Sequence, residues 1–84
     1  MPDEIARSER QLGAILRRIR KLKGLSQSEL GALIDMRQET VSRLETGAPA
    51  LQVRTLMAVL AALDQELVVR PRTKAEARDF ADIF

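Results

Sequence analysis

No cysteine, histidine, tryptophan or tyrosine occurs in this 84-residue chain, and its two phenylalanines, Phe80 and Phe84, both fall within the last five residues. Without cysteine there is no disulfide framework and no thiolate metal site, which fits a reducing cytoplasm. With no ring before Phe80, a core has to be built from Leu, Ile, Val, Met and Ala. The longest apolar run, Leu56 to Leu63, is far shorter than the ~20 residues that cross a bilayer. The start, MPDEIARSER, is charged and lacks the apolar stretch of a secretory signal. These absences lead us to expect a cytoplasmic protein with no membrane partner.

The same absences weigh against catalysis. There is no histidine or cysteine to act as base or nucleophile, and no glycine-rich loop to cradle a phosphate. The carboxylates are scattered, with nothing to push one pKa away from another. We therefore expect no enzyme activity, no cofactor, no metal and no small-molecule substrate. The length allows one domain with a modest core, not a core plus a ligand-sensing module.

What is present is unevenly distributed. The net charge is only +2, yet residues 1–23 carry +4 and residues 24–49 carry −2. A basic segment beside a polar motif suits phosphate contact, although a solvated helix face has the same composition.

Local signals divide the chain. Ser8 with Gln11 resembles a capping box, and Leu12, Ile15, Leu16, Ile19 and Leu22 recur behind it at helical spacing. This predicts a first helix over 9–22, ended by Gly24. Ser26 and Glu29 form a second capping box, opening a helix over 27–34. A third helix is expected from Gln38 to Thr46, stopped by Gly47, and a fourth over 53–63, where Gln52 is a weak cap. The β-branched run QELVVRPR predicts a strand at 66–70. The expected organisation is an N-terminal arm (1–8), a four-helix domain (9–64), a strand segment (65–72) and a C-terminal tail (73–84).

Within SQSELGALIDMRQETVSRLETG, Leu30 and Ile34 share one face, Val41 and Leu44 share another, and Met36 falls at the corner between them. That spacing suits a helix-turn-helix. Gly31 would let the two helices approach closely, and Asp35 takes a turn position that wants left-handed backbone. An ordinary helical hairpin is the plainer alternative. The outward face of the third helix holds Gln, Glu, Thr, Ser and Arg side chains.

The stretch GLSQSELGALIDMRQETVSRLETG resembles the helix-turn-helix of the lambda-repressor-like (Xre-type) DNA-binding family. The flanking LGAILRRIRKLKG and TLMAVLAALDQELVVRPR are most similar to HipB-type antitoxins, which repress their own operon and bind a kinase-like HipA-type toxin. The resemblance covers roughly residues 12–72. It departs from the family at Asp35, where glycine is usual, at Arg37, where a Ser or Thr cap is usual, and at Leu33, a normally polar surface position. It implies an all-α, compact four-helix domain, with one C-terminal β-strand pairing across a homodimer. It also implies a double-stranded DNA operator as partner. Gln27 would meet a phosphate at a helix N-terminus. Gln38 would pair with adenine, Arg43 with guanine, and Glu39 would accept from cytosine. Arg37, Thr40, Ser42 and Thr46 would contact the DNA backbone. Apart from the resemblance, the basic segment of the first helix offers Arg17 and Arg20 for backbone contact. A stand-alone phage- or plasmid-type repressor, or an interaction module that has lost DNA binding, are the alternatives.

Two further features call for a partner. The fourth helix is apolar all round, so Met57 and Ala61 need a cover beyond their own domain. A lone strand carrying Leu67, Val68 and Val69 needs a second strand, and a symmetry mate would supply both; a strand docked on its own domain is the alternative. In the tail, Phe80, Ile83 and Phe84 form an apolar face if helical. They are expected to dock on their own dimer, to anchor the toxin partner, or to belong to a disordered end read by a protease.

Overall fold

The computed structural model describes residues 3–72, which form four α-helices: α1 (Glu9–Leu22), α2 (Gln27–Leu33), α3 (Gln38–Glu45) and α4 (Val53–Ala62). The starts match the expected ones, and two of them are written locally. Ser8 Oγ accepts from the Gln11 backbone N–H at 3.1 Å, while Gln11 Oε1 reaches back to the Arg7 N–H at 2.6 Å. At α2 the capping box is complete, with Ser26 Oγ accepting from Glu29 N at 3.0 Å and Glu29 Oε1 from Ser26 N at 2.9 Å. Arg37 opens α3 and Gln52 opens α4 without any side-chain cap bond.

All four helices end in the same way. The residue after each cap, Gly24, Asp35, Gly47 or Asp64, has φ of 73°, 56°, 77° or 58°. The next N–H bonds back to the carbonyl five residues earlier: Leu25 to Arg20, Met36 to Gly31, Ala48 to Arg43 and Gln65 to Leu60. This left-handed closure satisfies carbonyls that a helix end would otherwise leave open. Asp64 takes the role with no glycine to announce it.

The aliphatic core comprises Leu16, Ile19, Leu30, Val41, Leu44, Val59, Leu60 and Leu63, with Leu12, Ile15, Ile34 and Leu56 packed at its edge. Here α3 packs against α1 and α2, and α4 lies against α2. Leu22 departs from expectation and is exposed. The buried stripe of α1 runs through Gly13, Leu16, Ile19 and Arg20, which turns the helix so that Leu22 faces out. A charged residue inside the stripe conceals its centre from any pattern of apolar positions. Gly13 sets how closely α1 and α3 cross. A Cβ there would stand 2.7 Å from the Glu45 carbonyl oxygen, and closer to that of Leu44. Gly31 has a similar role, but its close neighbour is the Met36 carbonyl in the turn, at 2.6 Å from where a Cβ would be, rather than the second helix itself.

No helix among the described residues is long and apolar enough to cross a membrane. Nor is there a strand among them; residues 65–72 are neither helical nor paired with other described residues. Leu67, Val68 and Val69 are exposed, as are Met57 and Ala61 on the outer side of α4. With residues 3–7 opposite, the 65–72 segment walls an open groove of about 920 Å³, floored by Leu12, Ile15, Leu16, Ile19 and Leu60. Phe80, Ile83 and Phe84 lie outside the described residues.

Candidate nucleic-acid interface

Between α2 and α3 the chain reverses at Asp35, and α3 then runs along the surface of the domain. Its inner side is fixed by Val41, Leu44 and Glu45, all buried. Its outer side presents Arg37, Gln38, Glu39, Arg43 and Thr46 as exposed residues, with Thr40 and Ser42 half-buried. The 3.6-residue period makes this division: once 41, 44 and 45 face the core, 39, 43 and 46 must face outward. Thr46 is less available than its exposure suggests. Its hydroxyl lies 3.1 Å from both the Ser42 and Arg43 carbonyls, so its one O–H donor is turned back on its own helix. Leu33 is exposed at the end of α2.

Beneath that face is a buried ion pair. Arg20 Nε donates to Glu45 Oε2 at 2.6 Å and Nη2 to Oε1 at 3.0 Å, while Nη1 donates to the Leu25 carbonyl at 2.6 Å. Both side chains are buried. Arg20, expected among the DNA-backbone contacts from its place in a basic segment, is instead buried and bonded within the domain. It belongs to the inner stripe of α1, and its guanidinium joins the last turn of α3 to the end of its own helix. The bidentate geometry is the strong form of such a pair. Breaking it from one side would leave a buried charge uncompensated. Arg17 is exposed, and Arg18 pairs with Glu4 of the N-terminal arm.

Gln27, the first residue of α2, is half-buried between this pair and the surface. Its Nε2 donates to Glu45 Oε1 at 3.1 Å, and its Oε1 accepts from Gln38 Nε2 at 2.6 Å. The structure thus brings together Arg20, Glu45, Gln27 and Gln38, of which sequence reasoning selected three and missed Glu45. Nothing in the local pattern marks Glu45, since it looks like one more polar residue on a polar helix. At the opening of α2, the Ser26 backbone N–H, and then its hydroxyl, hold the Glu29 carboxyl below the usual carboxylate range.

Comparison with known proteins gives this geometry its context. The family model described as helix-turn-helix matches residues 16–69. Among curated proteins, none matches the chain in sequence. Solved structures do match. A chain of a HipA-HipB-O2-O3 complex is 25% identical with a TM-score of 0.76, covering 86% of this chain and 100% of that one. The same figures hold for a HipB-O4 20mer complex. The restriction-modification controller protein C.AhdI from Aeromonas hydrophila is 31% identical with a TM-score of 0.65, covering 69% of this chain and 84% of that one. The α2–turn–α3 unit, its buried support and these likenesses agree: the chain belongs to the lambda-repressor-like (Xre-type) helix-turn-helix family of DNA-binding transcriptional regulators, and within it resembles HipB.

Proposed function

We propose that the protein is a sequence-specific repressor that binds a palindromic operator as a homodimer, with α3 in the major groove. The observation that carries this is the two-sided character of α3: its inner face is locked by Val41, Leu44 and the Arg20–Glu45 pair, while its outer face offers Gln38, Glu39 and Arg43. Gln38 has the donor–acceptor edge for adenine, Arg43 the fork for guanine O6 and N7, and Glu39 an acceptor for cytosine N4. Arg37, Thr40, Ser42 and Arg17 hold phosphates in this reading. The dimer forms through Leu67, Val68 and Val69, pairing as strands across a two-fold axis, with Met57 and Ala61 beside them. Half-site centres then lie about 34–36 Å apart, or a multiple of that.

The partner reading is the antitoxin of a HipBA-type operon, acting in the cytoplasm and binding a kinase-like HipA-type toxin; the HipA-HipB-O2-O3 likeness supports it. Phe80, Ile83 and Phe84 are its candidate anchor. The likeness to a restriction-modification controller protein favours a second reading, a stand-alone regulator. A kinase-like reading frame beside the gene, whose product co-purifies with this protein, separates the two.

Mobility shifts test the DNA reading. Arg43→Ala or Gln38→Ala should cost about 1–3 kcal/mol on the operator and relax one base pair per half-site. Arg17→Ala should weaken all sequences alike and flatten the salt dependence. Equal affinity of the wild type for operator and scrambled DNA sinks the repressor reading.

A further inference from the structure

We infer that the open groove between residues 3–7 and 65–72 is the docking site of this chain's own segment 73–84, with Phe80, Ile83 and Phe84 resting on its apolar floor.

The groove is apolar where it is open. Leu16, Ile19 and Leu60 on its floor are buried, but Leu12 and Ile15 are only half-buried, and Ile5 on the arm that walls it is 49% exposed. Aliphatic surface left against water costs free energy that an apolar occupant recovers. The volume of about 920 Å³ lies at the upper end of the ~300–1,000 Å³ that ligand pockets span. It has room for several side chains.

Position and length point to the occupant. Arg72 itself lines the groove, so segment 73–84 starts at its wall. The floor runs along α1 from Leu12 to Ile19, about 10 Å at the helical rise. Phe80 follows Arg72 by eight residues, a tether of about 12 Å if wound as a helix and about 26 Å if extended. Either form reaches the floor. So short a tether holds the segment at an effective concentration on the order of millimolar, which a separate molecule at micromolar concentration does not match.

The chemistry of the segment agrees. Residues 3–72 contain no aromatic ring, and both rings of the chain lie in 73–84. The groove rim sets Arg7, Arg70 and Arg72 against Asp3, Asp64 and Glu66, while Glu4 is paired with Arg18. That balance suits a segment in which Lys74 and Arg78 offset most of the charge of Glu76, Asp79 and Asp82, and it does not suit a polyanion. Strand pairing of 65–72 between two copies engages backbone groups, whereas the floor offers side chains, so the two arrangements are compatible. An anchor lodged in its own groove must be released before a toxin can take it, which lowers the apparent affinity for such a partner. The groove site itself depends on neither toxin nor DNA.

The test uses the free, whole chain. Phe80→Trp places one indole in a chain without Trp or Tyr, so its emission reports on the segment alone. Docking predicts blue-shifted emission and acrylamide quenching several-fold weaker than in the isolated 73–84 peptide with the same substitution, at every protein concentration. Adding Ile83→Asp with Phe84→Asp, which leaves residues 3–72 unaltered, should return the quenching to the peptide's value. Ile5→Asp on the wall and Leu12→Gln on the floor should each do the same, with circular dichroism confirming that the helices persist. Because Ile5 is exposed, its variant decides the matter even if Leu12→Gln does not fold. Emission and quenching like the peptide's at all concentrations would mean that the segment does not dock. Protection that rises with protein concentration would give the groove to a second copy, and protection that survives Ile5→Asp would put the segment elsewhere; each of these overturns the inference. None of them bears on the operator reading, which is tested on DNA.

Discussion

Asp35 and Asp64 hold backbone conformations that glycine would occupy with less strain, at φ of 56° and 58°. An L-residue in left-handed backbone gives up roughly 1 kcal/mol or more relative to its relaxed state, and glycine gives back part of the gain through greater freedom when unfolded. Asp35→Gly or Asp64→Gly should therefore raise stability by about 0.5–1 kcal/mol. The check is a urea midpoint that rises with an unchanged slope. Arg20 and Glu45 show the opposite sensitivity. Glu45→Gln leaves a buried guanidinium facing a neutral amide and should cost about 3–5 kcal/mol, whereas Arg20→Met with Glu45→Leu should recover most of that. Thermal melts of the three proteins decide it: a double variant as unstable as Glu45→Gln would contradict the argument. Asp35 was legible in the sequence because it precedes an apolar corner where a turn is required. Arg20 was not, because its neighbours in sequence are basic surface residues and its partner is 25 positions away.

The helix starts were legible for a related reason. A cap is a contract between residues three apart, so Ser8 with Gln11 and Ser26 with Glu29 can be recognised without knowing what the helix packs against. The rotation of a helix is different. It depends on which neighbour it meets, so Leu22 was expected inside and Gly13 went unnoticed until α1 was seen crossing α3. The α2 cap also carries a pH signature. Because the Glu29 carboxyl is held below its ordinary value of about 4.3, the unfolded chain binds its proton more readily than the folded one. The contribution of the cap is then fully present above about pH 4.3 and fades as pH falls through the lower folded value. Glu29→Gln, which can still accept from the Ser26 N–H, should lose less stability on acidification than the wild type. Melting temperatures between about pH 2.5 and pH 6 test this; parallel acid limbs in the two proteins would count against the cap.

Assembly is where a single chain says least about itself. Under the proposed dimer reading, a strand that pairs only with a second copy has no partner within one chain, and residues 65–72 form no strand among the described residues. Their composition still marks them: three consecutive apolar residues, all exposed, beside an apolar-floored groove. Val68→Pro removes a backbone donor and restricts φ, so it should abolish pairing through that segment. Sedimentation should then find a monomer, with operator binding reduced to what one half-site provides. A Val68→Pro protein that remains dimeric would move the interface to the outer side of α4.

The left-handed residue that closes every helix has a consequence for how the chain reaches this arrangement. Each reversal is made from bonds between residues no more than five positions apart, so the path of the backbone is sketched before distant segments meet. Helices of seven to fourteen residues do not persist alone, yet closing such short loops costs little entropy. What remains is to dock four roughly shaped pieces, which puts the chain among rapid, locally determined folders. Desolvation of Arg20 and Glu45 as α1 meets α3 should then be the costly step, since both side chains are buried. The contact that supports the reading surface would be among the last to form on folding and, by the same logic, among the first to yield when the protein is unfolded.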